Sequence, residues 1–243
     1  MNELTHVDLF SGIGGFAIAA KRAGFRTVSF AEVEPYACGI LKRRRVPNLG
    51  DVRQPGNFSR FRGATVLSAG YPCQPASLAG KRRGEEDHRW LWPPTCDIVA
   101  TVRPAWFIGE NVFGHVSMGL DRVLLDLESL GYATQSFVIP ACAVGARQRR
   151  DRVWIVGSDS ERDRFQRGSL EAAERRTEAA DEQLPRPVFP HVRAAISTAR
   201  AWRADHGVSS RLDAARNRAI GNAIVPQVAE QFFRWIAFLE RNA

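Results

Sequence analysis

Lysine is scarce in this chain of 243 residues: only Lys21, Lys42 and Lys81 occur among its 34 basic residues, and the rest are arginine. Part of that skew fits a GC-rich genome. Cysteine is sparse as well. Cys38, Cys73, Cys96 and Cys142 lie far apart, and no pair has metal-ligand spacing. That excludes a zinc framework or a disulfide scaffold and reads as reduced thiols of a cytosolic protein. The five histidines show no zinc pattern either, so no metal is expected. No run approaches the ~18 apolar residues of a membrane span, and the N-terminus lacks the layout of a signal peptide, so the expected location is the cytoplasm. No internal repeat is present.

What the chain does have is enough apolar content, 44%, for one sizeable domain with a packed core, and a net charge of +8. The charge is concentrated. Lys42-Arg43-Arg44-Arg45, Lys81-Arg82-Arg83 and the stretch from Arg147 to Arg152 form three dense clusters. Such clusters suit a polyanion, because each neutralised phosphate releases counterions, although a charge run can also be a solvated face.

The element pattern alternates. Residues 5–10 read as a strand, Ser11-Gly12-Ile13-Gly14-Gly15 as a turn, and residues 16–23 as a helix closed by Gly24. Residues 27–31 form a second strand ending at Glu32, and Pro35 starts a helix through Arg45. Residues 64–69 read as a buried strand, and residues 106–109 as another that ends at Glu110. A helix over residues 121–130 is closed by Gly131. Strands over 133–139 and 152–156 follow, with a last helix over about 227–240. Strands alternating with helices predict an α/β fold with a mostly parallel sheet covered on both faces. Residues 158–211 differ: they are polar, with ten Arg against nine Asp and Glu, prolines at 185, 187 and 190, and little periodicity. They read as an insertion between residues 1–157 and a returning segment, residues 212–243.

Two local patterns carry chemistry. Gly12-x-Gly14-x-x-Ala17 lies between a strand and a helix, with Glu32 at the end of the next strand. That is the layout of a dinucleotide or adenosine site, in which glycines admit the ligand and the acid accepts from ribose hydroxyls. It leaves two cofactor classes open, a nicotinamide or S-adenosylmethionine; hydride transfer would not call for the cysteine described next. Cys73 follows the buried strand in Gly70-Tyr71-Pro72-Cys73-Gln74-Pro75, where Pro72 stops the strand. A thiol on a stiff turn at a strand's end is a candidate nucleophile, and its bland alternative is a small buried hydrophobe.

Taken in order, Asp8-Leu9-Phe10-Ser11-Gly12-Ile13-Gly14-Gly15-Phe16, Pro72-Cys73-Gln74-Pro75, Glu110-Asn111-Val112, Gln148-Arg149-Arg150-Asp151-Arg152 and Gly221-Asn222-Ala223 resemble the signature motifs of DNA (cytosine-5) methyltransferases. The resemblance covers residues 5–157 and 212–240, and the shortened final section is similar to phage and prophage members. It implies a Rossmann-like methyltransferase fold using S-adenosylmethionine, with a short target-recognition region, acting as a monomer on double-stranded DNA; a restriction–modification system, phage self-protection and an orphan enzyme all stay open as its setting. Cytosine C5 is a poor nucleophile, so Cys73 would add to C6. Glu110 would protonate N3, and a partly buried carboxyl can have its pKa raised enough for that. Arg152 would bind the ring's O2. The resemblance places Phe10, Ser11, Gly12, Gly14, Gly15, Glu32, Val33, Asp51, Val52, Pro72, Asn222 and Ala223 around the cofactor, with Asp51 on the adenine amino group. Gln74, Ser77, Lys81, Arg82, Arg89, Gln148 and Arg150 are expected on DNA, those of residues 77–92 in a mobile loop that closes over the duplex. Many members carry Phe where this chain has Ala76. Arg186, Arg193, Arg200 and Arg203 could read guanine edges or be solvated, and no base preference follows. The alternatives are a tRNA cytosine-5 methyltransferase of the same fold and a catalytically silent DNA-binding relative.

Overall fold

The computed structural model describes residues 3–54, 57–72, 90–160, 219–220 and 222–242. Cys73, Gln74, Ser77, Lys81, Arg82, Arg89 and residues 161–211 of the expected recognition region lie outside the described residues.

Six strands form one sheet. They are β1 (Thr5–Leu9), β2 (Arg26–Ala31), β3 (Val66–Ala69), β4 (Trp106–Val112), β5 (Tyr132–Pro140) and β6 (Asp151–Asp159), in spatial order β2-β1-β3-β4-β6-β5. β1 pairs in parallel with β2 and β3, and β3 with β4. β6 is antiparallel to both its neighbours, so it alone runs against the other five. The chain winds outward from β1 to β2 and then returns to β1's other side with β3. The crevice beyond the carboxyl ends of β1 and β3 is therefore a topological switch point, where open α/β sheets bind ligands.

The inner strands β3, β4 and β6 bury both faces because most of their residues are apolar on both sides, whereas the edge strand β5 is exposed or half-buried beyond Tyr132. Val7 and Leu9 of β1, Leu67 of β3, Phe107 of β4 and Ile155 of β6 enter one core. Above them lie α3 (Trp92–Val102) and α4 (Leu120–Ser129), through Ile98, Val99, Val102, Val123 and Leu127. On the other face Val66, Ile108, Trp154 and Val156 pack beneath α1 (Gly15–Arg22) and the C-terminal α5 (Pro226–Asn242). Phe233 of α5 meets His6 and Phe25 edge-on at ring separations of 5.0 and 5.1 Å, so the last helix completes the core begun by the first strand.

Differences from the sequence expectation are local. The helix from Pro35 is α2 (Pro35–Leu41), and Lys42–Arg44 tightens into a single 3₁₀ turn that ends on Arg45 at φ 55°. β4 does not stop at Glu110 but continues to Val112, because β6 pairs with it from Trp106↔Ser158 to Val112↔Arg152. α3 was not expected: two prolines occupy its first turn, where no intrahelical N–H is required. Its first residue lies in the stretch read as a mobile loop, yet Trp90 and Trp92 are buried. The closures at Gly24 and Gly131 are as expected, both with positive φ.

Candidate active site and cofactor cavity

The end of β1 is shaped by backbone conformations that few residues adopt. Phe10 itself has φ 53°, uncommon for a residue with a side chain, and Gly12 and Gly14 follow at 51° and 85°. The turn is pinned from below. Ser11 Oγ donates to the Asp8 carbonyl at 2.7 Å, and the Asp8 carboxylate accepts from Ser68 Oγ at 2.9 Å. Ser68 lies 2.8 Å from His6 Nε2, and His6 Nδ1 lies 3.0 Å from Thr27 Oγ1. Burial pushes Asp8 up to about 7 and His6 down to about 3. A neutral imidazole then completes a buried polar chain under the turn.

Glu32, at the end of β2, holds the turn from above. Its Oε2 accepts from Gly12 N–H at 2.7 Å, and Oε1 accepts from Val33 and Glu34 N–H at 2.9 and 2.7 Å. A carboxylate offers about four lone-pair sites, so capacity for another donor remains on Oε2. Beside it opens a cavity of about 450 Å³ lined by Phe10, Gly12, Glu32, Val33, Asp51, Val52, Pro72, Asn222 and Ala223, with Arg53, Gly70 and Leu91 among others. Nine of the twelve residues expected around a cofactor are thus brought together. The remaining three support the wall: Ser11 is buried, Gly14 lies against the Arg44 guanidinium, and Gly15 lies against Ile224. Asp51 is gripped by Arg53, whose Nη2 is 2.5 Å from Oδ2 and whose backbone N–H donates to Oδ1 at 2.9 Å. That pairing holds the Asp51 carboxyl below its ordinary range.

The second constellation lies at the adjoining ends of β3, β4 and β6. Glu110 is only 7% exposed, and Arg152 Nε lies 3.0 Å from its Oε1. Burial raises the Glu110 carboxyl to about 6, against the opposing pull of Arg152 and Arg150. Its Oε2 faces the other way: a Cβ placed on Gly70 would lie 3.8 Å from it. The carboxyl therefore looks toward the Gly70-Tyr71-Pro72 turn from which Cys73 continues. Asn111, next to Glu110, fixes that turn by donating from Nδ2 to the Tyr71 carbonyl at 3.1 Å. Tyr71 Oη lies 3.0 Å from His115 Nε2, and burial lowers His115 to about 4, leaving the imidazole neutral near pH 7. Sequence reading gave Asn111 and His115 no role. Asn111 stood within a quoted motif, whereas nothing in the sequence links His115 to Tyr71.

Of the residues expected on DNA, two are described. Gln148 lies in the turn before β6. Arg150 is directed inward, with Nη2 donating to the Ala223 carbonyl at 2.7 Å. Among the described residues, no group of three or more His, Cys, Asp or Glu side chains could hold a metal ion, and no helix is long and apolar enough to cross a membrane.

The sheet order, with one antiparallel strand entering an otherwise parallel array and a cavity at the switch point, defines an α/β fold of the S-adenosylmethionine-dependent methyltransferase type. A solved structure of an E. coli prophage-encoded protein, described as a DNA modification methyltransferase, matches it with a TM-score of 0.54 at 23% identity, over 66% of this chain and 48% of that one. The chain belongs to the C-5 cytosine-specific DNA methylase family, whose profile matches residues 4–197. It is similar to the type II methylase M.HgiEI of Herpetosiphon aurantiacus, with 34% identity over 167 residues, 65% of this chain and 38% of that relative. It is also similar to the type II methyltransferase M.NgoMIV of Neisseria gonorrhoeae, with 32% identity over 170 residues, 67% of this chain and 54% of that one. The aligned residues thus span between about two fifths and about half of these relatives.

Proposed function

We propose that the chain transfers a methyl group from S-adenosylmethionine to carbon 5 of a cytosine in duplex DNA. The observation that carries this reading is the Glu110–Arg152 pair, with the free oxygen of a buried, readily protonated carboxyl turned toward the strand end that leads into Cys73. Family membership supports the substrate class.

The cavity suits the cofactor chemically. Phe10 and Val52 supply apolar walls for an adenine, and the remaining acceptor site of Glu32 suits a ribose hydroxyl. Asp51 would accept from the adenine amino group, and Asn222 and Ala223 would close the wall. When bound, the cofactor supplies an electrophilic sulfonium methyl group.

The chain's own residues do the rest. The target base, inaccessible within the helix, is flipped out at a cost of a few kcal/mol. The Cys73 thiolate adds to C6 and opens the C5–C6 double bond. Electron density flows toward N3, where Glu110 delivers its proton from Oε2; Oε1 is retained by Arg152, which also reaches the base O2. C5, now nucleophilic, takes the methyl group as the methyl–sulfonium bond breaks and its electron pair stays on sulfur, leaving a neutral thioether. Loss of the C5 proton to a base restores the double bond and expels the thiolate, while N3 returns its proton to Glu110, so the cysteine and the acid are both regenerated. Pro72 and the Asn111–Tyr71 bond limit the freedom of the cysteine's anchoring turn, which lowers the entropic cost of the attack.

Incubation with methyl-labelled S-adenosylmethionine and either duplex DNA or tRNA tests the reading. Label enters DNA at C5 of cytosine, and Cys73→Ser abolishes it. Incorporation into tRNA alone, or equal incorporation by the variant, overturns it.

A further inference from the structure

Arg150, expected on DNA, has a geometry that departs from that expectation. It stands immediately before β6, two positions from Arg152, with φ 36°. A side-chain-bearing residue in the left-handed region costs of order 1 kcal/mol and persists where surrounding contacts over-determine it. The contacts are present: the Ala141 N–H lies within hydrogen-bond distance of both the Arg149 and the Arg150 carbonyls, at 2.8 and 3.2 Å. This kink sends the guanidinium into the protein. Its Nη2 donates to the Ala223 carbonyl at 2.7 Å, across 73 residues of sequence, and its Nε is buried without a partner.

The receiving carbonyl belongs to a critical piece of wall. Asn222 and Ala223 line the cofactor cavity. Ile224, the next residue, fills the space beside two glycines: a Cβ on Gly15 would come within 2.8 Å of its Cγ1, and one on Gly70 within 3.6 Å of its Cγ2. Residues 222–224 therefore touch both the glycine turn after β1 and the end of β3, and Arg150 ties them to β6. A bond from a cation to a carbonyl is among the stronger hydrogen bonds. The same guanidinium lies close enough to Glu110 to help hold its carboxyl down, and Arg152 presses on it as a like charge.

We propose that Arg150 is a positioning residue that locks the C-terminal wall of the cofactor cavity to the strand carrying Arg152, and that it does not serve as a phosphate contact. The proposal rests on the functional reading above. It separates two effects that a DNA contact would combine differently. Losing a phosphate contact lowers DNA affinity and reduces the slope of log K against log salt by about 0.9, while cofactor affinity stays put. Losing the wall's anchor does the reverse.

The experiment uses the full chain as wild type, Arg150→Gln and Arg150→Lys, with S-adenosylmethionine titrated calorimetrically and duplex DNA binding followed across a salt series. Circular dichroism confirms that each variant is folded. Arg150→Gln is expected to weaken cofactor binding by about tenfold or more, leave the salt slope unchanged and move the acidic group seen in the pH–rate profile upward. Arg150→Lys, which keeps the charge and can still reach a carbonyl, recovers part of both. Unchanged cofactor affinity with a shallower salt slope overturns the proposal, as does an unmoved pH profile. Were wild type itself to bind DNA but no S-adenosylmethionine, the functional reading would fall first and the proposal with it; a wild type that binds both isolates the question to Arg150.

Discussion

Glu110 illustrates how burial and pairing divide the two oxygens of one carboxyl. Arg152 occupies Oε1, yet the loss of water outweighs that cation and leaves the group ionising at about 6 rather than near 4.5. Between those two values the folded protein binds a proton that the unfolded chain has released. Stability contributed by the acid form is therefore complete below about pH 4.5, is lost as pH rises to about 6, and is level above, a swing of about 2 kcal/mol. Glu110→Gln carries no such group. Denaturant unfolding of wild type and variant at pH 4.5 and at pH 7 should show wild type losing about that much relative to the variant. In kinetics, kcat/KM of the wild type should decline above pH 6 as Glu110 ionises, and the variant should lose that limb together with about 10²- to 10⁴-fold in kcat. A stability difference that does not change with pH would mean that the carboxyl is not buried as described.

The glycine-rich turn and the returning segment show how much of the site was legible in the sequence. Gly12, Gly14 and Glu32 declared themselves by spacing, because a strand, a tight turn and an acid at the next strand's end are all short-range features. The reason for Gly15 was not legible. Nothing within the turn requires it; the requirement comes from Ile224, more than two hundred residues later, which leaves no room for a Cβ. β4's extension past Glu110 and the insertion of β6 beside it were hidden for the same reason, since pairing partners are set by tertiary contact and not by local pattern. Likewise α3 escaped notice because its prolines look like breakers until they are seen in a first turn. Two alanine substitutions separate these effects. Gly12→Ala meets no protein atom within 4 Å and costs the fold only the backbone strain of φ 51°, about 1 kcal/mol, although Gly12 lines the cavity and its methyl also weakens cofactor binding. Gly15→Ala must displace the buried Ile224 and so costs about 1–3 kcal/mol, with weaker S-adenosylmethionine binding as the wall moves. Thermal unfolding checks both; equal losses of stability would contradict the packing argument.

Taken together, the molecule is a sheet whose two ends of chain meet. β1 lies between β2 and β3, and α5 seals one of its faces through Phe233 against His6 and Phe25. That closure carries residues 222–224 to the crevice, so the cavity is built from both extremes of the sequence, and the Glu110–Arg152 pair lies at the adjoining strand ends. The three clusters of basic residues give the chain the surplus charge a duplex attracts. What this arrangement is proposed to achieve is a transient bond between Cys73 and C6 of a cytosine. A duplex oligonucleotide with 5-fluorocytosine at the methylated position tests it most directly, because fluorine at C5 cannot leave as a proton and the adduct has no way to collapse. With S-adenosylmethionine present, wild type should remain attached to the DNA through denaturing electrophoresis, and Cys73→Ser should run free. A wild-type protein that methylates ordinary cytosine but releases the fluorinated duplex intact would contradict the account.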